Sequence, residues 1–172
     1  MSESTAGHRA EASERAPVAC ALLTVSDSRT EATDESGPLM RRLVEAAGHR
    51  VAEYALLRND EAAVREHVRA LIGRADVDAV LITGGTGLGS RDRTVEAVRP
   101  LLDKEMPGFG EIFRMVSFNE QVGTAAILSR AVAGGANGTL VVSMPGSKAA
   151  VELALSRVLL PELSHVIREL KR

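Results

Sequence analysis

Residues 77–94 read VDAVLITGGTGLGSRDRT, a largely apolar run over 77–82 followed by a loop with glycine at 84, 85, 87 and 89. The first half has the hydrophobicity of a strand buried on both faces, and the second half carries the chain out of the sheet. Gly84, Gly85, Gly87 and Gly89 can take positive φ or admit a ligand against the main chain, so the loop offers bare N–H groups to an anion. Side chains enter only at its end. There Arg91 and Arg93 supply positive charge, and Asp92 supplies a carboxylate able to hold Mg²⁺ or orient a nucleophile. The pattern points to a phosphate-bearing ligand; the competing reading is a strand-to-helix turn whose glycines relieve strain.

Two common phosphate signatures do not fit. The spacing from Gly84 to Gly89 matches a Walker loop, but Ser90 and Arg91 stand where Lys and Ser/Thr belong. The dinucleotide fingerprint would run from Gly85 and Gly87, and its third glycine position is Ser90. A P-loop and a nicotinamide site are thus both disfavoured.

Working outward, residues 18–25 (VACALLTV) are continuously apolar and read as a first buried strand, ending in a polar loop over 26–35. Ser36-Gly37-Pro38 opens a helix with apolar positions Leu39, Met40, Leu43, Val44 and Ala47, stopped by Gly48. Residues 51–57 form a second strand. Asp60 is placed to cap a helix whose stripe is Val64, Val68, Leu71 and Ile72. After the glycine loop, Thr94 is expected to cap a helix reaching Leu102, and 109–116 a short helix following the Met106-Pro107-Gly108 break. Residues 117–138 are rich in Gly, Ala, Ser and Asn, with a short strand expected at 125–128. Residues 139–144 form the last strand, followed by Pro145-Gly146-Ser147-Lys148 and a long amphipathic helix that Pro161 bends or restarts.

Alternating strands and helices with short connections predict an α/β fold, with a mostly parallel sheet covered by helices on both faces. Such sheets bind ligands at the carboxyl ends of their strands, which makes neighbours of three polar loops. The candidate binding residues are therefore Ser26 and Asp27, then Thr83, Gly84, Gly85, Thr86, Gly87 and Arg91, then Pro145, Gly146, Ser147 and Lys148. Two anion cradles in one cleft imply two phosphorylated substrates, whose approach calls for a divalent cation and carboxylates. Asp92 is the first such carboxylate and Asp60 the second, with helix capping as the competing role for Asp60. Asp27 and Asp34 are further candidates on the loop after the first strand.

The chain has 172 residues, 45% hydrophobic and 26% charged, enough for one domain with a core of Val, Leu, Ile and Ala. Residues 1–16 are expected to be a flexible tail and 17–172 a single domain. Aromatics make up 2% and tryptophan is absent, so base stacking has almost nothing to work with. A net charge of −2 gives no global field for nucleic acid or anionic lipid. Cys20, the one cysteine, sits in an apolar run and is expected to be a buried hydrophobe; the scattered histidines form no metal motif. With no secretory signal and no membrane-spanning run, a cytoplasmic protein is expected.

LITGGTGLGSRDRT (81–94), KEMPGFGEIFR (104–114), LSRAVAG (128–134) and MPGS (144–147), in this order and spacing, resemble the MoaB/Mog family of molybdenum cofactor biosynthesis, which includes the gephyrin G domain. The last two segments look closer to MoaB than to Mog. The resemblance implies a three-layer α/β/α fold that binds molybdopterin, trimeric and in some MoaB proteins hexameric, working among the other proteins of the pathway. Active members are adenylyltransferases that use ATP and Mg²⁺ to make adenylyl-molybdopterin and pyrophosphate; others bind the pterin without adenylylating it, which makes a carrier the alternative function. The family's acidic residues map onto Asp92 and, through L-R-N-D-E, onto Asp60. Val95 departs from the pattern, since many relatives have proline after the threonine.

Overall fold

A computed structural model describes residues 17–172; the expected tail, residues 1–16, lies outside them. β1 (Ala19–Val25) is buried along all seven residues, as a doubly covered strand must be. It pairs in parallel with β2 (Arg50–Leu57) on one side and β3 (Ala79–Thr83) on the other. β6 (Thr139–Met144) continues the sheet in parallel beside β3; β5 (Val132–Ala136) pairs antiparallel to β6, and the two-residue β4 (Lys104–Glu105) pairs antiparallel to β5, so that β5 is the reversed strand. The order is β2-β1-β3-β6-β5-β4, a mostly parallel six-stranded sheet as expected. The chain leaves β1 toward β2 and then crosses to β3 on its other side. This reversal opens a crevice at the carboxyl ends of β1 and β3.

Alternate residues of the central strands feed two cores. Cys20, Leu22, Leu81 and Val142 pack with helices α1 (Ser36–Ala46), α4 (Pro107–Ser117), α5 (Lys148–Leu153) and α6 (Leu163–Leu170). Ala21, Leu23, Val80, Ile82 and Val141 face α2 (Glu61–Leu71) and α3 (Thr94–Val98). The result is the expected three-layer α/β/α arrangement. Cys20 is fully buried, and that burial, with the nearby Asp78 charge, pushes its thiol up to about 12.

Several elements differ from expectation. Residues 125–128 are not a strand: Gly123–Leu128 is a tight helical segment following a wide turn over Phe118–Val122, and the strand lies later, at β5. β5 and β6 are joined by Asn137-Gly138, both at positive φ (45° and 75°), a two-residue hairpin turn whose twist suits the sheet. Pro107 does not break a helix but starts α4, where its missing N–H costs nothing. Thr94 begins α3 without capping it; Arg93 is the flanking residue, the Thr94 hydroxyl is buried without a partner, and the helix gives way to a tight turn at Arg99–Leu101. The last helix is relieved by a wide turn at Ala154–Leu159 and a tight one around Pro161 before α6.

Candidate active site

The carboxyl ends of β1, β3 and β6 surround a cleft of about 750 Å³, within the range of small-molecule sites. Ser26 and Asp27, then Thr83, Gly84, Gly85, Thr86 and Gly87, then Pro145, Gly146 and Ser147 all line it, together with Asp92. The opposite wall is largely apolar, formed by Phe113, Val122, Ala125, Ala126 and Leu128 of α4 and the segment after it. Gln121 ties this wall to the start of α5, its side-chain amide donating to the Ala149 carbonyl at 3.0 Å.

Close packing imposes the glycines at two positions. Gly84 has φ 96°, and a Cβ there would sit 2.2 Å from the Val25 carbonyl oxygen. At Gly87 a Cβ would instead meet the Asp92 carboxylate at 2.6 Å, with no demand for positive φ. The two substitutions should therefore separate fold from site. Gly84→Ala is expected to cost about 1–3 kcal/mol from strain and backbone displacement. Gly87→Ala should leave the denaturation midpoint nearly unchanged while displacing Asp92, which paired urea melts and turnover assays on the two variants will resolve.

Asp92 is oriented by its own loop: its Oδ2 accepts from the Gly89 N–H at 3.1 Å, and its N–H donates to the Gly89 carbonyl at 3.0 Å. Asp27 accepts from the Asn59 N–H at 3.0 Å through Oδ1, leaving Oδ2 with only a long 3.9 Å approach from Arg91. Ser26 receives the N–H groups of Ser28 (3.3 Å) and Arg29 (3.2 Å), which curls the loop over the end of β1. Thr83 donates to the Pro145 carbonyl at 2.9 Å, locking the β3 and β6 ends together. Ser147 caps α5 by accepting from the Ala150 N–H at 3.2 Å.

Three predicted residues stand elsewhere. Asp60 does not line the cleft; it is the N-cap of α2, accepting from the Ala63 N–H at 2.7 Å. Arg91 has an 84% exposed side chain outside the lining, and Lys148 pairs with Glu35 at 3.1 Å away from it. Asp60→Ala is expected to cost about 1 kcal/mol through the lost cap, and Asp60→Asn, which keeps the acceptor, to restore it. Thermal melts check the cap, and turnover of the folded Asn variant reads the contribution of the charge alone.

Other residues escaped sequence reasoning. Asn59, next to Asp60, lines the cleft with a buried side-chain oxygen that has no partner. Arg29 donates to Asp34 at 3.1 Å, to Ser36 at 2.6 Å and to the Gly146 carbonyl at 3.3 Å, bridging the loops after β1 and β6. Asp34, offered by the sequence as a candidate carboxylate, does not line the cleft: it is buried, and it also accepts from Tyr54 (2.5 Å), Thr24 (2.9 Å) and the N–H groups of Ser36 (2.9 Å) and Gly37 (3.0 Å). Burial alone would raise its pKa, but these hydrogen bonds together outweigh it and hold the carboxyl below the usual range. Burial first, and then the bond to Asp34, pushes the Tyr54 phenol up to about 12.

Among the described residues, the side chains lining the cleft include two carboxylates, Asp27 and Asp92, and one cation, Arg29, already committed to Asp34. No described group of three or more His, Cys, Asp or Glu is placed to hold a metal by protein ligands alone. One or two carboxylates beside an anion cradle fit Mg²⁺, which completes its shell with water and substrate phosphates.

Residues 21–165 match the family model described as "Probable molybdopterin binding domain". The Molybdenum cofactor biosynthesis protein B of Halalkalibacterium halodurans is 55% identical over 163 residues, covering 95% of each chain. The crystal structure of a Molybdenum cofactor biosynthesis protein B matches with a TM-score of 0.88 at 48% identity, covering 91% of this chain and 98% of that one. The tungsten cofactor synthesizing protein MoaB from Pyrococcus furiosus matches with a TM-score of 0.81 at 33% identity, over 92% and 99%.

Proposed function

The chain belongs to the MoaB/Mog family of molybdenum cofactor biosynthesis proteins, and from that premise we propose that it is a molybdopterin adenylyltransferase. The observation that carries the reading is the makeup of the cleft: three strand-end loops line it and bring two carboxylates into it, and its one lining cation is already paired. A site for a single small anion needs no carboxylates, whereas two phosphorylated substrates joined through a divalent cation do. The apolar wall opposite suits a planar ring system, adenine or pterin.

In this reading a terminal phosphate oxygen of molybdopterin attacks the α-phosphorus of ATP in line. The new P–O bond forms as the bond from the α-phosphorus to the bridging oxygen breaks, and the electron pair leaves with pyrophosphate. Gly85, Thr86 and Gly87 aim backbone donors at phosphate oxygens, and Asp92 with Asp27 supplies the acidic face. A bound Mg²⁺ would neutralise triphosphate charge. No covalent enzyme intermediate is needed, so catalysis rests on positioning and electrostatics. Asp60 serves from behind the cleft, holding the head of α2 and with it Asn59.

The remaining family expectations join this proposal: residues 17–172 act as one molybdopterin-binding unit, in the cytoplasm, as a trimer or hexamer. No helix among the described residues is long and apolar enough to cross a membrane. Ile112, Met115, Phe118 and Ile127 lie exposed on α4 and the wall segment, Ile127 by 79%, and offer an apolar face for association between copies. The function is tested by pyrophosphate release from ATP with molybdopterin and Mg²⁺ omitted in turn. Release that requires both supports the enzyme; tight pterin binding with no release supports a carrier.

A further inference from the structure

The Thr86–Asp92 stretch carries loop donors and the key carboxylate, yet Leu88, Gly89, Ser90 and Arg91 within it are exposed. Its described backbone bonds between Gly87 and Asp92 are internal, the Gly89–Asp92 pair. Such a loop needs an external hold to keep Asp92 aimed. Arg130 provides one. It lies between the wall segment and β5, outside the cleft lining, and its guanidinium reaches both ends of the stretch. Nε donates to the Thr86 carbonyl at 3.1 Å and Nη2 to the Asp92 carbonyl at 2.9 Å. Glu96, on α3, accepts from Nη1 at 2.5 Å and from Nη2 at 3.3 Å, fixing the plane of the fork.

We infer that Arg130 is a positioning residue, clamping the two ends of the glycine loop so that Asp92 and the loop N–H groups keep their aim into the cleft. The planar fork of donors is essential to this role: two carbonyls on one side and a carboxylate on the other match a guanidinium, and an ammonium cannot span them. The inference deepens the adenylyltransferase reading and rests on it for its catalytic consequence. The clamp itself is a statement about the loop alone.

The test therefore has two readouts on full-length protein: amide hydrogen exchange without ligands, and steady-state kinetics with ATP, Mg²⁺ and molybdopterin. Arg130→Met is expected to speed exchange of the amides over 86–92 by about tenfold or more, with β1 and β3 protected as in the wild type. Its kcat should fall on the order of a hundredfold, with KM for ATP moving far less. Arg130→Lys, which keeps the charge, should show the same pattern in weaker form and covers the case in which the Met variant fails to fold. Glu96→Gln keeps the carbonyl contacts and should stay within about threefold of the wild type. Unchanged loop exchange in the Arg130 variants overturns the inference, as does a kcat loss in Glu96→Gln equal to that in Arg130→Met, which would reduce Arg130 to an ion-pair partner. A wild type without turnover would defeat the enzyme reading, while the exchange data would still decide the clamp.

Discussion

Asp92→Asn is expected to lower molybdopterin-dependent adenylyl transfer by at least about a hundredfold while leaving the fold intact. The amide keeps an oxygen to accept from the Gly89 N–H, the contact that orients the wild-type side chain, so the loop has no structural reason to open. What disappears is the negative charge on the cleft side. Because Asp27 is the other carboxylate lining the cleft among the described residues, the acidic face is halved rather than trimmed. Turnover and thermal melts run side by side measure this: a lost rate with an unchanged melting temperature is the expected pair. Raising Mg²⁺ should recover part of the rate, since a weakened cation site is the proposed lesion.

Asp34→Ala carries the largest expected effect on stability. The carboxylate is shared by Arg29, Tyr54, Thr24 and two backbone N–H groups, and its removal leaves a part-buried guanidinium and several donors without their acceptor. Breaking a buried pair from one side costs about 3–5 kcal/mol, which urea denaturation reads directly. The pH dependence has a definite sign. Asp34 has a folded pKa below its unfolded value, so the stability it adds is complete above about pH 4 and is lost as pH falls through the folded pKa. Tyr54 is raised to about 12, so its contribution is present below about pH 10 and is lost as pH rises toward 12. Asp34→Asn should flatten the acid limb of the stability curve, and Tyr54→Phe the alkaline limb.

The parts of this molecule that were legible in the chain are those written in periodicity. The apolar runs over 18–25 and 77–82 foretold doubly covered strands, and the glycine loop between the third strand and its helix foretold a cleft at the sheet end, which that loop lines. Local signals were harder to weigh where two rules competed. At residues 125–128 apolar content suggested a strand, but the segment is helical and forms part of the wall of the cleft. The hairpin signal was present in Asn137-Gly138, hidden by the small residues that surround it. Gly134 and Gly135 are small because a Cβ would meet the Lys104 carbonyl at 2.4 Å and the Leu170 side chain at 2.4 Å, a tertiary constraint with no local trace.

The site divides the same way. Topology brought three loops together from their order in the chain alone, whereas side-chain direction could not be read from it. Asp60 and Asn59 illustrate the point: adjacent residues at the end of β2, one turned to cap α2 and the other toward the cleft. Asp34 looked like one more loop acid in the sequence, yet five donors converge on it from β1, β2, the loop itself and the start of α1. Only the folded chain assembles them.

The central claim is that this cleft joins two phosphorylated substrates. Transfer of label from ATP carrying a radioactive α-phosphate tests it most directly, with molybdopterin and Mg²⁺ present and the products separated. The account predicts that the label moves onto the pterin, that unlabelled pyrophosphate is released in equal amount, and that Asp92→Asn slows both by at least about a hundredfold. Pterin retained tightly by the wild-type protein with all label remaining in ATP would contradict it.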